Sequence, residues 1–172
     1  MSPSATTHLI QPRPGVTGLI RAWGRAWNRH DAAAVAACCT PEVHYEDPAL
    51  PRPAQGRREV SWFVNQLTAA FPDLRVEGAG PCRTLASGQV LVPWRCQATC
   101  LGPVPSLGIS PTGGRIELFG VHVWELEDGL VGRHQGFYDL ERVLRELGAD
   151  HPSVLGEAPV ASGWSAGRDP WR

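Results

Sequence analysis

The chain has 172 residues, 42% of them hydrophobic, which suffices for one domain with a sizeable core. Lys and Arg total 16 against 17 Asp and Glu, a formal charge of -1, which excludes the electrostatic footprint of a nucleic-acid or anionic-membrane binder. Five cysteines, odd in number and without the paired spacing of a structural zinc site, point to reduced thiols in a cytoplasm.

Residues 1–14 read as a flexible arm, since Pro3, Pro12 and Pro14 break any early apolar run that an export signal or membrane span would need. Residues 15–148 read as the domain. Val16, Leu19, Ile20, Trp23 and Trp27 share one helical face, predicting a first helix that ends near Asn28. Asp31 is placed to cap a short second helix from Ala32 to Cys39, stopped by Thr40 and Pro41. Val43, Tyr45 and Asp47 alternate with His44 and Glu46 in a strand closed by Pro48, and the proline-rich segment from Pro48 to Gln55 is a loop. A third helix follows, marked by Val60, Phe63, Val64, Leu67 and Phe71. From Leu74 the period becomes two, giving strands at about 74–85, 88–100, 114–127 and 130–138. Leu140, Val143, Leu144 and Leu147 make a last amphipathic helix stopped by Gly148. The Pro/Gly-rich tail, 149–172, is read as disordered, with Trp164 and Trp171 offering the alternative of a lid or a contact with a partner subunit. This order of elements predicts an α+β fold: a cone-shaped, curved antiparallel sheet covered on its concave side by three N-terminal helices, plus a C-terminal helix, with a pocket at the open end.

Inward polar groups are the informative ones, because burying them unpaired costs roughly 1–3 kcal/mol each. Asp47, sharing a strand face with Tyr45, is a candidate general base with a pKa raised by desolvation, or else a turn residue before Pro48. His122 interrupts an otherwise apolar strand from Phe119 to Trp124, and His134 shares a parity with Gly136 and Tyr138. Each has a bland alternative, a satisfied core histidine for His122 and a solvated one for His134. Trp23, Trp62, Phe63, Trp94, Trp124 and Tyr138 are candidates for the pocket wall, with the hydrophobic core as their other destination. There is no nucleophile elbow, no phosphate loop and no GxGxxG, and His44, His122 and His134 lack a helical metal-ligand spacing. No metal, nicotinamide or flavin is expected. Phe119, Val121 and Val123 fall on the face opposite His122, and this apolar stripe predicts a homodimer.

The run from Thr112 to Arg115, then Phe119 to Gly129, ending at Phe137-Tyr138-Asp139, together with Trp27 to Asp31, resembles the SnoaL-like, ketosteroid isomerase-like branch of the nuclear transport factor 2-like superfamily. Asp47-Pro48 is similar to the base element of ketosteroid isomerases, and His122 falls where those enzymes carry a protonated Asp. Trp23 replaces their oxyanion tyrosine. Tyr45 and Asp47 also resemble the water-positioning pair of limonene epoxide hydrolases, whereas Val90, Val92 and Gly136 replace the catalytic set of those enzymes. The resemblance implies a cofactor-free acid/base enzyme, a cyclase, isomerase or dehydratase, acting on a small apolar oxygenated metabolite in polyketide or other secondary-metabolite biosynthesis. Asp47 would be the base, Tyr45 its positioner, His122 a donor to developing negative charge and His134 a reserve acid. The alternatives are an epoxide-opening hydrolase or cyclase, and a non-catalytic small-molecule-binding or assembly module.

Overall fold

The computed structural model describes residues 14–148; the rest of the arm and the tail, with Trp164 and Trp171, lie outside the described residues. Helix α1 (Pro14–Asn28) opens on a proline, whose missing N–H is no loss in a first turn, and buries Leu19, Trp23, Ala26 and Trp27 along one face. His30 leaves it with a positive φ of 55°, and Asp31 caps α2 (Ala32–Ala37) by accepting from the Ala34 N–H at 2.9 Å. Helix α3 (Gly56–Ala70) buries Val60, Phe63 and Val64 and leaves Trp62 outside.

Strand β1 (Cys39–Glu46) follows α2 directly, and β2 (Ala54–Gln55) pairs back onto it within the segment read as a loop. The stretch expected at 74–85 divides into β3 (Arg75–Gly78) and β4 (Arg83–Thr84), because Gly80 and Pro81 interrupt the ladder. The long strands β5 (Val90–Thr99), β6 (Arg115–Glu127) and β7 (Leu130–Tyr138) pair antiparallel, and α4 (Leu140–Glu146) closes the domain, its N-terminus capped by Asp139. The order is β2-β1-β7-β6-β5-β3, with β4 also on β5. β1 joins β7 in parallel, so the Asp47 loop lands beside the end of β7 although 91 residues separate Asp47 from Tyr138. Four helices and an open, curved seven-stranded sheet therefore form the α+β architecture expected.

Inward parity on β6 follows Ile116, Leu118, His122 and Trp124, and on β7 Val131, His134, Gly136 and Tyr138. The register shifts between Glu125 and Leu126, where β7 spends one additional residue, Gly132. A Cβ at Gly132 would lie 2.6 Å from the Glu127 side chain, so glycine there lets the bulge close. Above the bulge His122 faces Gly136 and Trp124 faces His134 across the ladder. No helix among the described residues is long and apolar enough to cross a membrane.

Candidate active site

The open end of the sheet encloses a cavity of about 100 Å³, where one water needs about 10–15 Å³ on the same measure. Its walls are apolar side chains from α1, α3, β5, β6 and α4, among them Trp27, Leu67, Phe71, Trp94, Leu118 and Val143. Apart from Cys96, its polar lining groups among the described residues are Tyr45, Asp47, His122 and Tyr138, with no Lys or Arg. These four come from the end of β1 and from adjacent positions of β6 and β7, clustered around Gly136. A Cβ at Gly136 would sit 3.2 Å from Asp47 Oδ2 and 3.5 Å from His134 Cε1. Glycine at this position thus keeps the space into which the carboxylate and the imidazole project.

Asp47 ends β1 in a tight turn, where its Oδ1 accepts from the Ala49 N–H at 2.9 Å and from Tyr138 Oη at 2.7 Å. No cation faces it among the described residues. Burial raises its pKa above the usual carboxylate range, outweighing the two hydrogen bonds that lower it. The tyrosine that holds Asp47 is therefore Tyr138. Tyr45, expected to be its positioner, lies instead flat against His134, ring centroids 3.9 Å apart and planes 1° from parallel, and its hydroxyl has no hydrogen-bond partner among the described residues. A parallel β1–β7 register brings Tyr45 opposite His134, where it lines the cavity without bonding Asp47.

His122 lines the cavity, stacked on Trp94 at 5.1 Å, and its Nδ1 is 3.0 Å from His134 Nε2. His134 is fully buried behind it and does not line the cavity, so a reserve acid role is closed to it. Burial pushes the His134 pKa down to about 3 and the His122 pKa well below 6.5, the neighbouring ring adding to the shift at His122. Both imidazoles are uncharged at neutral pH. Asp47 and His122 thus face one cavity, each within its own hydrogen-bonded pair. Of the expected pocket walls, Trp94 and Tyr138 line the cavity, whereas Trp23, Phe63 and Trp124 pack behind it in the core. Trp62 stands on the outer side of α3, 52% exposed, because the inward face of that helix is taken by Val60, Phe63, Val64 and Leu67. Sequence reasoning missed the roles of Gly136 and of the Glu46 carbonyl, which accepts from the His134 ring at 3.2 Å. Gly136 opposite His122 in an otherwise bulky pair of strands was the available signal.

The depressed His134 pKa carries a stability consequence. A histidine that titrates lower when folded gives stability fully present above about 6.5 and lost as pH falls toward about 3. Between pH 7 and pH 5 this amounts to about 2 kcal/mol for His134. Asp47 acts in the opposite sense, its raised pKa favouring the native state as pH falls toward the unfolded carboxylate value. Comparing His134→Gln with wild type cancels that contribution. Urea unfolding at the two pH values should show a smaller loss in the variant, and equal losses would mean that His134 is not held neutral by the fold.

Among the described residues no group of three or more His, Cys, Asp or Glu side chains is arranged to hold a metal ion. The chain is similar to known proteins in two ways. The family model described as SnoaL-like domain matches residues 20–134. Among solved structures, TsrD from Streptomyces laurentii superposes with a TM-score of 0.69 at 23% identity, covering 81% of this chain and 99% of that one. A candidate hydroxylase, AclR from Streptomyces galilaeus, gives 0.64 at 24% identity, covering 77% and 95%. A candidate polyketide cyclase from Xanthomonas campestris gives 0.66 at 20% identity, covering 78% and 98%. No curated protein matches significantly.

Proposed function

Because the chain belongs to the SnoaL-like domain family, we propose that it is a cofactor-free acid/base enzyme, a cyclase, isomerase or dehydratase acting on a small, largely apolar, oxygenated metabolite. One observation carries this reading: a desolvated carboxylate without a counter-ion, Asp47, faces an otherwise apolar cavity beside His122 and Tyr45. Two hydrogen bonds hold the carboxylate but no cation among the described residues offsets its charge, and a purely structural turn could make the same bonds with a neutral Asn at lower desolvation cost. A base gains reactivity from the same desolvation. Burial acts oppositely on the two site groups, strengthening Asp47 as a proton acceptor and weakening His122 as one. Asp47 takes the proton in this scheme and Tyr138 aims its carboxylate. The largely apolar lining, with Asp47 as its one charged group among the described residues, favours an uncharged substrate whose apolar body lies along Trp94 and Leu118. The polyketide cyclase and hydroxylase descriptions carried by similar folds support oxygenated secondary metabolites as the substrate class. The test is turnover by protein dialysed against chelator: wild type retains it and Asp47→Asn does not, while a requirement for one added metal would overturn the reading.

The chain is further proposed to act as a homodimer. On the outer face of the sheet Phe119 and Phe137 are each 55% exposed, and Val121 pairs across to Pro93 and Phe137, Val123 to Leu91. The flanking charges are already matched within the chain, Arg95 with Glu77 and Arg133 with Glu46, so no single-sign rim repels a second copy. A two-fold axis would lay this patch on itself. Sedimentation at micromolar concentration should give a dimer, and Phe119→Lys should give a monomer; a wild-type monomer would contradict the proposal.

A further inference from the structure

The two histidines have an order of protons that their partners dictate. The Glu46 carbonyl can only accept, so the ring nitrogen 3.2 Å from it, His134 Nδ1, carries the hydrogen. A neutral His134 then presents a lone pair at Nε2, and the nitrogen 3.0 Å away, His122 Nδ1, must donate to it. His122 has spent its one proton there. Its Nε2, with no protein partner among the described residues, is left as a lone pair on a ring that lines the cavity. Turning the His134 ring over would put carbon against both partners and lose both bonds, and stacking on Tyr45 and Trp94 fixes the two ring planes.

We infer that His134 is a positioning residue that fixes His122 as a hydrogen-bond acceptor, so the site selects a ligand that offers a hydroxyl, enol, phenol or N–H at this point and disfavours a bare carbonyl. This revises the donor role expected of His122, which would need the opposite tautomer. The donor available to a ligand oxygen is Tyr45, which lines the same cavity and whose hydroxyl has no protein partner among the described residues. A substrate oxygen bound between them would donate to His122 while accepting from Tyr45, an arrangement that an enol or phenol satisfies and a ketone satisfies only in part. The inference rests on the cavity being the ligand site, as proposed above, and not on the part played by Asp47.

Nitrogen NMR of protein labelled with ¹⁵N-histidine at pH 7 reads the tautomer directly, with the six histidines assigned from single variants. In wild type His122 should carry its hydrogen on Nδ1. His134→Gln, whose amide can donate to Glu46 and accept from His122, should preserve that tautomer, and His134→Leu should shift the hydrogen to Nε2. In parallel, 2-naphthol should bind wild type about threefold to tenfold more tightly than 2-methoxynaphthalene, the increment of one net hydrogen bond. That preference should persist in His134→Gln and vanish in His134→Leu. A wild-type His122 protonated at Nε2, or a naphthol preference that survives in His134→Leu, overturns the inference; neither readout depends on turnover, so the acid/base proposal stands or falls separately.

Discussion

Replacing Asp47 by Asn is expected to lower turnover by about 10²–10⁴-fold, the usual contribution of a positioned general base, with no loss of fold. The amide keeps an oxygen for both hydrogen bonds that hold the side chain, from Tyr138 Oη and from the Ala49 N–H, so the turn after β1 survives. What disappears is the proton acceptor. Removing a desolvated charge also relieves the native state of a cost, so the melting temperature should stay level or rise. Tyr138→Phe offers a graded comparison, since it leaves the carboxylate but releases its aim, and it should cost less than Asp47→Asn. An Asp47→Asn protein that melts normally and turns over substrate at the wild-type rate would reduce Asp47 to a turn residue.

The second large effect is on stability. Trp124 is fully buried on β6, opposite His134 across the ladder, with its ring edge-on to Trp23 at 5.2 Å and parallel to His122 within 10°. Truncation to Ala should cost about 3–5 kcal/mol, the range for a large aromatic lost from a core. Its indole N–H has no partner among the described residues, so the cost comes from packing and not from a broken hydrogen bond. Because Trp124 links α1 to both histidine-bearing strands, the loss also frees the His122 ring, and ligand affinity should fall together with stability. Urea unfolding measures the first effect; a change below about 1 kcal/mol would show that the core collapses around the gap.

The sheet was legible in the sequence wherever strands are long and one-sided. On β6 the alternation of Leu118, His122 and Trp124 against Phe119, Val121 and Val123 assigned both faces, and on β7 His134 and Tyr138 followed the same logic. Pairings between distant segments were not legible. The parallel contact of β1 with β7 has no turn signature, and it decides that Tyr138 holds Asp47 while Tyr45 stacks on His134. The bulge at Gly132 shifts register without changing the alternation of the residues that matter above it. Helical periodicity distinguished the buried face of α3 but said nothing of Trp62, which lies between its apolar positions and faces outward. Which nitrogen of His122 carries a hydrogen depends on a backbone carbonyl 76 positions earlier, at Glu46, and backbone groups leave no mark in a sequence.

In the proposed site, one end of the cavity, where Asp47, His122 and Tyr45 lie near Gly136, holds the reacting oxygenated part of the substrate. A crystal structure of the Asp47→Asn variant with trapped substrate would locate those atoms. A substrate oxygen is expected within about 2.6–3.2 Å of His122 Nε2, the reacting atom at the same range from the residue 47 side chain, and the apolar body along Trp94 and Leu118. Substrate bound with its oxygens away from residues 47 and 122, or seated on the outer face of the sheet at Phe119 and Phe137, would contradict it.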